Sequence, residues 1–123
     1  MEGIILTRRS VGGTGAVEAP IELTIEPGDT EIVVTFDGSG CPFVRWQVSV
    51  ADRTSLTQST QYFVLTAVHD FEGNVHWNLS SKLGDKTNTD VDILVTTGIP
   101  NTNIVFSLTN NEAHPLDVCA VQV

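Results

Sequence analysis

The sequence has few of the residues that build metal sites, disulfide frameworks or membrane spans. Its two cysteines, Cys41 and Cys119, form no CxxC pair, which is too few ligands for a structural zinc site. No apolar run approaches the roughly 20 residues that a membrane helix needs. The start of the chain lacks a signal-peptide pattern, since Glu2 stands where positive charge is expected. We therefore expect no membrane association, no export and two reduced thiols.

Positive charge is also scarce, with six Lys and Arg against 15 Asp and Glu and a formal net charge of −9. Residues 1–20 are neutral, because Arg8 and Arg9 balance Glu2 and Glu18. The whole net charge therefore belongs to the remainder of the chain. A body of this sign repels phosphate backbones, so we expect no nucleic-acid partner.

What the sequence does contain, from residue 21 onward, is an alternation of apolar and polar residues with period two. Polar turn residues divide it into segments at 21–25, 31–36, 44–50, 61–70, 75–79, 91–95, 104–108 and 116–120. No segment keeps a helical period. The chain of 123 residues predicts one all-β domain over 21–123, an antiparallel β-sandwich or jelly-roll-like domain of about eight strands.

Residues 1–20 predict an extended N-terminal arm ahead of this domain. A short apolar segment with strand propensity is followed by two arginines and by a glycine-rich spacer at residues 12–15. Such a segment can add to the sheet edge of another subunit, and arginines can pair with acidic groups there. The residues that we expect to bind a partner are Ile4, Ile5, Leu6, Arg8 and Arg9.

One hairpin has a register that can be predicted. If Glu72-Gly73 forms a two-residue loop, Val68 lies opposite Trp77 on a core face. The other face then mixes apolar and polar side chains. Such a face is either a half-covered surface that contacts another protein or a face that the chain's own loop covers. This possible surface face is formed by Phe63, Leu65, His69 and His76.

Catalytic and metal-binding patterns are lacking. There is no HExxH, no GxSxG and no phosphate-binding loop. A cross-strand metal site at His69, Asp70, Glu72 and His76 can be drawn, but two histidines on adjacent strands are a common chance event. We expect no catalytic residue, no metal and no cofactor, and therefore no enzyme.

Several short motifs follow one another in the second half of the chain. They are Trp46-Gln47-Val48-Ser49-Val50, Val75-His76-Trp77-Asn78-Leu79, Leu83-Gly84-Asp85, Val91-Asp92-Ile93, Leu108-Thr109-Asn110-Asn111-Glu112 and Pro115-Leu116. In this order, over residues 44–121, the chain resembles small all-β structural proteins encoded among the virion genes of tailed bacteriophages. The resemblance implies a non-enzymatic virion component that is assembled in the host cytoplasm.

Among virion components, the acidic body and the arm favour a capsid decoration or cement protein. Such a protein would bind the outer shell and stabilise it, as a homo-oligomer or in many copies on a lattice, with the major capsid protein or another virion protein as partner. The alternative is a tail, baseplate or fibre β-module that binds a host-surface glycan or protein. That alternative requires exposed aromatic side chains on loops, whereas Trp46 and Trp77 lie on predicted strands.

Overall fold

A computed structural model describes residues 19–52, 59–84 and 90–123 of the chain, which form eight β-strands and no helix. Each strand covers one of the eight segments predicted from the alternating pattern, so the predicted all-β class is confirmed. The strands are β1 (Ile21–Ile25), β2 (Thr30–Asp37), β3 (Phe43–Asp52), β4 (Ser59–His69), β5 (Val75–Gly84), β6 (Val91–Thr97), β7 (Asn103–Asn110) and β8 (Leu116–Gln122).

The strands form two antiparallel sheets that pack as a sandwich. One sheet has five strands in the order β1-β8-β3-β4-β5, and the other has three in the order β2-β7-β6. One side of the sandwich therefore brings together the outermost strands β1 and β2, and the other brings together β5 and β6. No helix in the described ranges is long and apolar enough to cross a membrane.

The core lies between the sheets and is built from the alternate positions of the central strands. Trp46, on β3, is fully buried and stacks on Phe106 of the opposite sheet with ring centroids 5.7 Å apart. Phe36 meets the same indole edge-on at 6.4 Å. This aromatic cluster joins the two sheets at the level of β2, β3 and β7.

The predicted register of the β4–β5 hairpin is wrong by one residue. Ala67, not Val68, lies opposite Trp77, and His69 pairs with Val75. The cause is a five-residue loop, Asp70–Asn74, which the Asp70 carboxylate closes by accepting hydrogen bonds from the Glu72 and Asn74 N–H groups. A shift of one residue exchanges the two faces of a strand.

The exchange of faces also corrects the predicted surface. Three members of that set, Phe63, Leu65 and His69, are buried in the sandwich with at most 2% of their surface exposed, so they are not available to a partner in this fold. Only His76 lies on the outer face of the sheet, opposite Val68.

The structure describes the two cysteines but not the predicted arm. The predicted arm residues Ile4, Ile5, Leu6, Arg8 and Arg9 lie outside the described residues. Within the described part of the chain, Cys41 is exposed, Cys119 is half-buried and neither forms a disulfide.

Removal of the two tryptophans should have unequal effects on stability. Trp46→Ala should lower the free energy of unfolding by about 3–5 kcal/mol, because it leaves a cavity at the centre of the core. Trp77→Ala should cost only roughly 1–2 kcal/mol, since 40% of that side chain is exposed on the edge strand β5. Urea denaturation followed by circular dichroism measures both. Equal losses would contradict the assignment of Trp46 as the central residue.

Candidate functional site: the three-loop end

Three loops meet at one end of the sandwich. They are the β2–β3 loop (38–42), the β4–β5 loop (70–74) and the β6–β7 loop (98–102), and we call this region the three-loop end. Hydrogen bonds join all three. Gly38 N donates to Thr102 O at 3.1 Å, and Thr97 Oγ1 donates to Gly73 O at 3.3 Å. The backbone N–H of His69 donates to Pro42 O at 2.9 Å.

The imidazole of His69 is the central contact of this region. Its Nδ1 accepts a hydrogen bond from the Phe71 N–H at 3.1 Å, so a neutral ring carries its hydrogen on Nε2, which lies 2.8 Å from Gly38 O. Only 2% of the residue is exposed. The ring therefore fixes the β2–β3 loop and the β4–β5 loop relative to each other from inside the fold.

Gly38 is the residue that lets this contact form. A Cβ built at this position would lie 2.5 Å from the backbone oxygen of Thr102 and 2.7 Å from the His69 ring. Neither group can move without breaking the hydrogen bonds just described. Glycine at position 38 is therefore required by close packing, because no side chain fits between the Thr102 carbonyl and the His69 ring.

The β4–β5 loop is held by a second set of hydrogen bonds, made by the Asp70 carboxylate. Oδ1 accepts from the Glu72 N–H at 2.8 Å and from the Asn74 N–H at 3.1 Å, and Oδ2 accepts from Asn74 Nδ2 at 2.8 Å. The Asn74 side chain contributes most to holding the pKa of Asp70 below its ordinary value of 3.8, and the two N–H groups add to the effect.

These contacts support a strained residue with an exposed ring. Phe71 has a φ of 64°, in the left-handed region that residues with a bulky side chain rarely adopt. Its ring packs edge-on against the His69 ring with centroids 4.5 Å apart, and 55% of the residue is exposed. The loop thus holds an aromatic side chain toward solvent on a backbone that hydrogen bonds fix from two sides.

Other large apolar side chains are exposed at the same end. Ile99 is 97% exposed on the β6–β7 loop, and Phe43 is 58% exposed at the start of β3. Phe43 lies beside Val68, and Val68 lies beside His76, in a row across the outer face of the sheet. Exposed apolar groups next to exposed polar ones such as Glu72 and Asn74 are typical of a binding surface.

The structure separates the two histidines of the cross-strand metal site considered from the sequence. His69 lies in the interior and His76 on the outer face of the same sheet, so the two imidazoles cannot share an ion. Within the described ranges, no group of three or more His, Cys, Asp or Glu side chains could hold a metal.

Sequence reasoning missed the three-loop end as a unit, because its contacts join residues far apart in the chain. One local signal was available. Asp70, followed by Gly73 and Asn74, is the composition of a turn in which a carboxylate accepts backbone N–H groups. That signal predicts the longer loop and hence the observed register.

Comparison with known proteins places the fold beside that of a phage tailspike. No protein-family model and no curated protein sequence matches the chain. The crystal structure of the tailspike protein of Acinetobacter phage vB_ApiP_P1 aligns with a TM-score of 0.56 at 8% sequence identity. The alignment covers 94% of this chain and 24% of the tailspike chain. At this identity the similarity establishes a shared sandwich fold.

Replacement of His69 should destabilise the protein although no metal is involved. His69→Ala removes the partners of a buried carbonyl at Gly38 and of the Phe71 N–H, so we expect a loss of roughly 2–4 kcal/mol in the free energy of unfolding. The exposed His76 provides the control, because His76→Ala should change stability by less than about 0.5 kcal/mol. Chemical denaturation of both variants measures the difference, and similar values would argue against the role given to His69.

Lowering the pH should weaken the contribution of Asp70 to the stability of the fold, over a defined pH range. Since the folded state lowers the pKa of this carboxyl, its stabilising effect is complete above the ordinary value of 3.8 and is lost as the pH falls through the lowered pKa. The difference in melting temperature between the parent and Asp70→Ala should therefore stay constant from pH 7 to about pH 5 and shrink below pH 4. Asp92→Ala, on the outer face of β6, controls for the loss of a surface charge. A difference independent of pH would contradict the assignment.

Proposed function

We propose that the chain is a non-enzymatic, tail-associated module of a bacteriophage virion, whose three-loop end binds a component of the host surface, a glycan or a protein. The observation that carries the proposal is the exposed ring of Phe71 on a hydrogen-bonded support, with Phe43 and Ile99 at the same end. Binding surfaces commonly consist of a few exposed apolar or aromatic groups held rigidly on loops.

Two further observations support this assignment. The sandwich has the architecture of part of a phage tailspike chain, which favours a tail-associated role. The order of short motifs resembles virion proteins in general and does not distinguish the tail from the head. The aromatic side chains that a binding module requires come from loop 70–74 and the start of β3, rather than from the fully buried Trp46. Rigid presentation lowers the entropic cost of binding, since less backbone has to be ordered.

Capsid decoration is a second candidate, and a specific observation favours it. All of the net charge of −9 belongs to the body, while the neutral arm holds Arg8 and Arg9. An acidic body suits the outside of a shell that encloses DNA, and an arm of this composition suits contact with a neighbouring shell protein. The arm residues that this candidate requires lie outside the described part of the chain, whereas described side chains support the tail-associated role, which is therefore our leading proposal.

Quantitative mass spectrometry of purified virions distinguishes these roles. We expect a copy number near that of the tail and fibre proteins of the same particle. A copy number in the hundreds would overturn the tail-associated role in favour of capsid decoration. Absence from the particles would overturn both roles.

The binding surface is tested with Phe71→Asn, which removes the ring but keeps a residue that tolerates the left-handed conformation. Leu94→Thr, which removes an exposed apolar side chain from the outer face of β6, is the matched control. The probes are intact host cells and polysaccharide extracted from their surface. We expect Phe71→Asn to weaken binding at least about tenfold at an unchanged melting temperature, with Leu94→Thr equal to the parent. Equal binding by all three proteins would exclude the three-loop end as the binding surface.

A further inference from the structure

A groove runs between the two sheets on the side where β1 and β2 face each other. It has a volume of about 350 Å³, and its apolar lining comes from both sheets. Asp37, at the end of β2, lies in the same lining, as does Ala19, the first described residue. The apolar lining residues are Ile21, Val34, Phe36, Trp46 and Ala120.

Each strand beside this groove has one unpaired edge. Among the described strands, β1 pairs only with β8, and β2 pairs only with β7. The register of β2 shifts between Ile32 and Val34, whereas β1 pairs regularly over all five of its residues. An irregular edge is a poor template for another strand, so β1 is the better acceptor for an extended peptide.

We propose that this groove binds the segment Ile4–Thr7 of a second copy of the chain, as an added strand along the free edge of β1. The segment is four residues long and β1 is five, so their lengths match. In an extended peptide alternate side chains point the same way, which directs Ile4 and Leu6 into the apolar lining together. The arginines at positions 8 and 9 follow directly.

Charge at the groove complements these arginines. Asp37 is exposed, and the Ser39 N–H donates to its Oδ1 at 3.0 Å. This backbone hydrogen bond, with a further one from the Ser39 side chain, lowers the pKa of Asp37 and so favours its charged form. An arginine that follows a docked strand can pair with a carboxylate placed in this way.

The direction of the chain favours a second copy over the same copy. β1 begins at Ile21, and Ala19, two residues ahead of it, lies in the groove lining. Docking into its own groove would require residues 8–18 to reverse direction. When extended, these eleven residues reach about 37 Å, which is as long as the longest strand of the sandwich, so the segment can reach a neighbour.

The first test is self-association of the full chain, measured by sedimentation equilibrium. The parent should associate in a concentration-dependent manner, whereas the full-length double variant Ile4→Ser with Leu6→Ser should remain monomeric with an unchanged melting temperature. Asp37→Lys should weaken association at least about fivefold and remove most of its salt dependence, while Asp92→Lys, the same charge change on the outer face of β6, should not. A monomeric parent, or equal association of parent and double variant, would overturn the proposal.

The second test uses the synthetic peptide MEGIILTRRS as a probe of the groove. Its binding to the full-length double variant should change the tryptophan fluorescence saturably, since Trp46 lines the groove, and a peptide with serine at positions 4 and 6 should have no effect. Failure of the parent peptide to bind would overturn the groove assignment. If the peptide binds the double variant, but the parent is monomeric and melts higher than the double variant, then the segment occupies its own groove and the second-copy assignment is wrong. Neither test depends on the proposed host-surface function.

Discussion

The hydrogen bond between His69 and the carbonyl of Gly38 is the interaction on which the arrangement of the three-loop end depends. It joins the end of β4 to the β2–β3 loop, between two residues that are 31 positions apart in the chain. The acceptor nitrogen of the same ring fixes the N–H of Phe71, and the Gly38 N–H continues the contact to the third loop. A buried histidine with both nitrogens bonded has little freedom to rotate, so the loops are positioned by the core of the sandwich.

This support explains how a strained backbone persists at Phe71. A left-handed φ at a residue with a bulky side chain costs of order 1–3 kcal/mol and survives only where surrounding contacts determine it. Here they come from Asp70 on one side and His69 on the other, and both belong to structure that forms with the fold. The strain that holds this aromatic ring in solvent thus offsets part of the free energy of folding. Such a cost is expected at a functional site rather than in a loop that only connects two strands.

The strands could be predicted from the sequence because their signal is local. Alternation within a segment identifies a half-buried strand without reference to its partners, and together with the long apolar run at 61–70 it indicates all eight segments. The pairing of β4 with β5 could not be derived by the same means, because a loop of two or of five residues fits the same alternation. The carboxylate of Asp70 decides between them, and its partners, Glu72 and Asn74, become evident only from the geometry. The buried position of His69 follows from that register, so one error in loop length misplaced Phe63, Leu65 and His69, and only His76 of the candidate surface lies where it was predicted.

The fixed backbone at position 71 also determines how this surface can change over generations. The main chain there is held through backbone N–H groups, and a new side chain leaves these hydrogen bonds available while it alters the chemistry of the surface. The left-handed conformation restricts the choice, because β-branched residues are strongly disfavoured and glycine, asparagine and aspartate are favoured. If the three-loop end binds a target as proposed, adaptation to a new target can proceed by single substitutions drawn from this reduced set of amino acids.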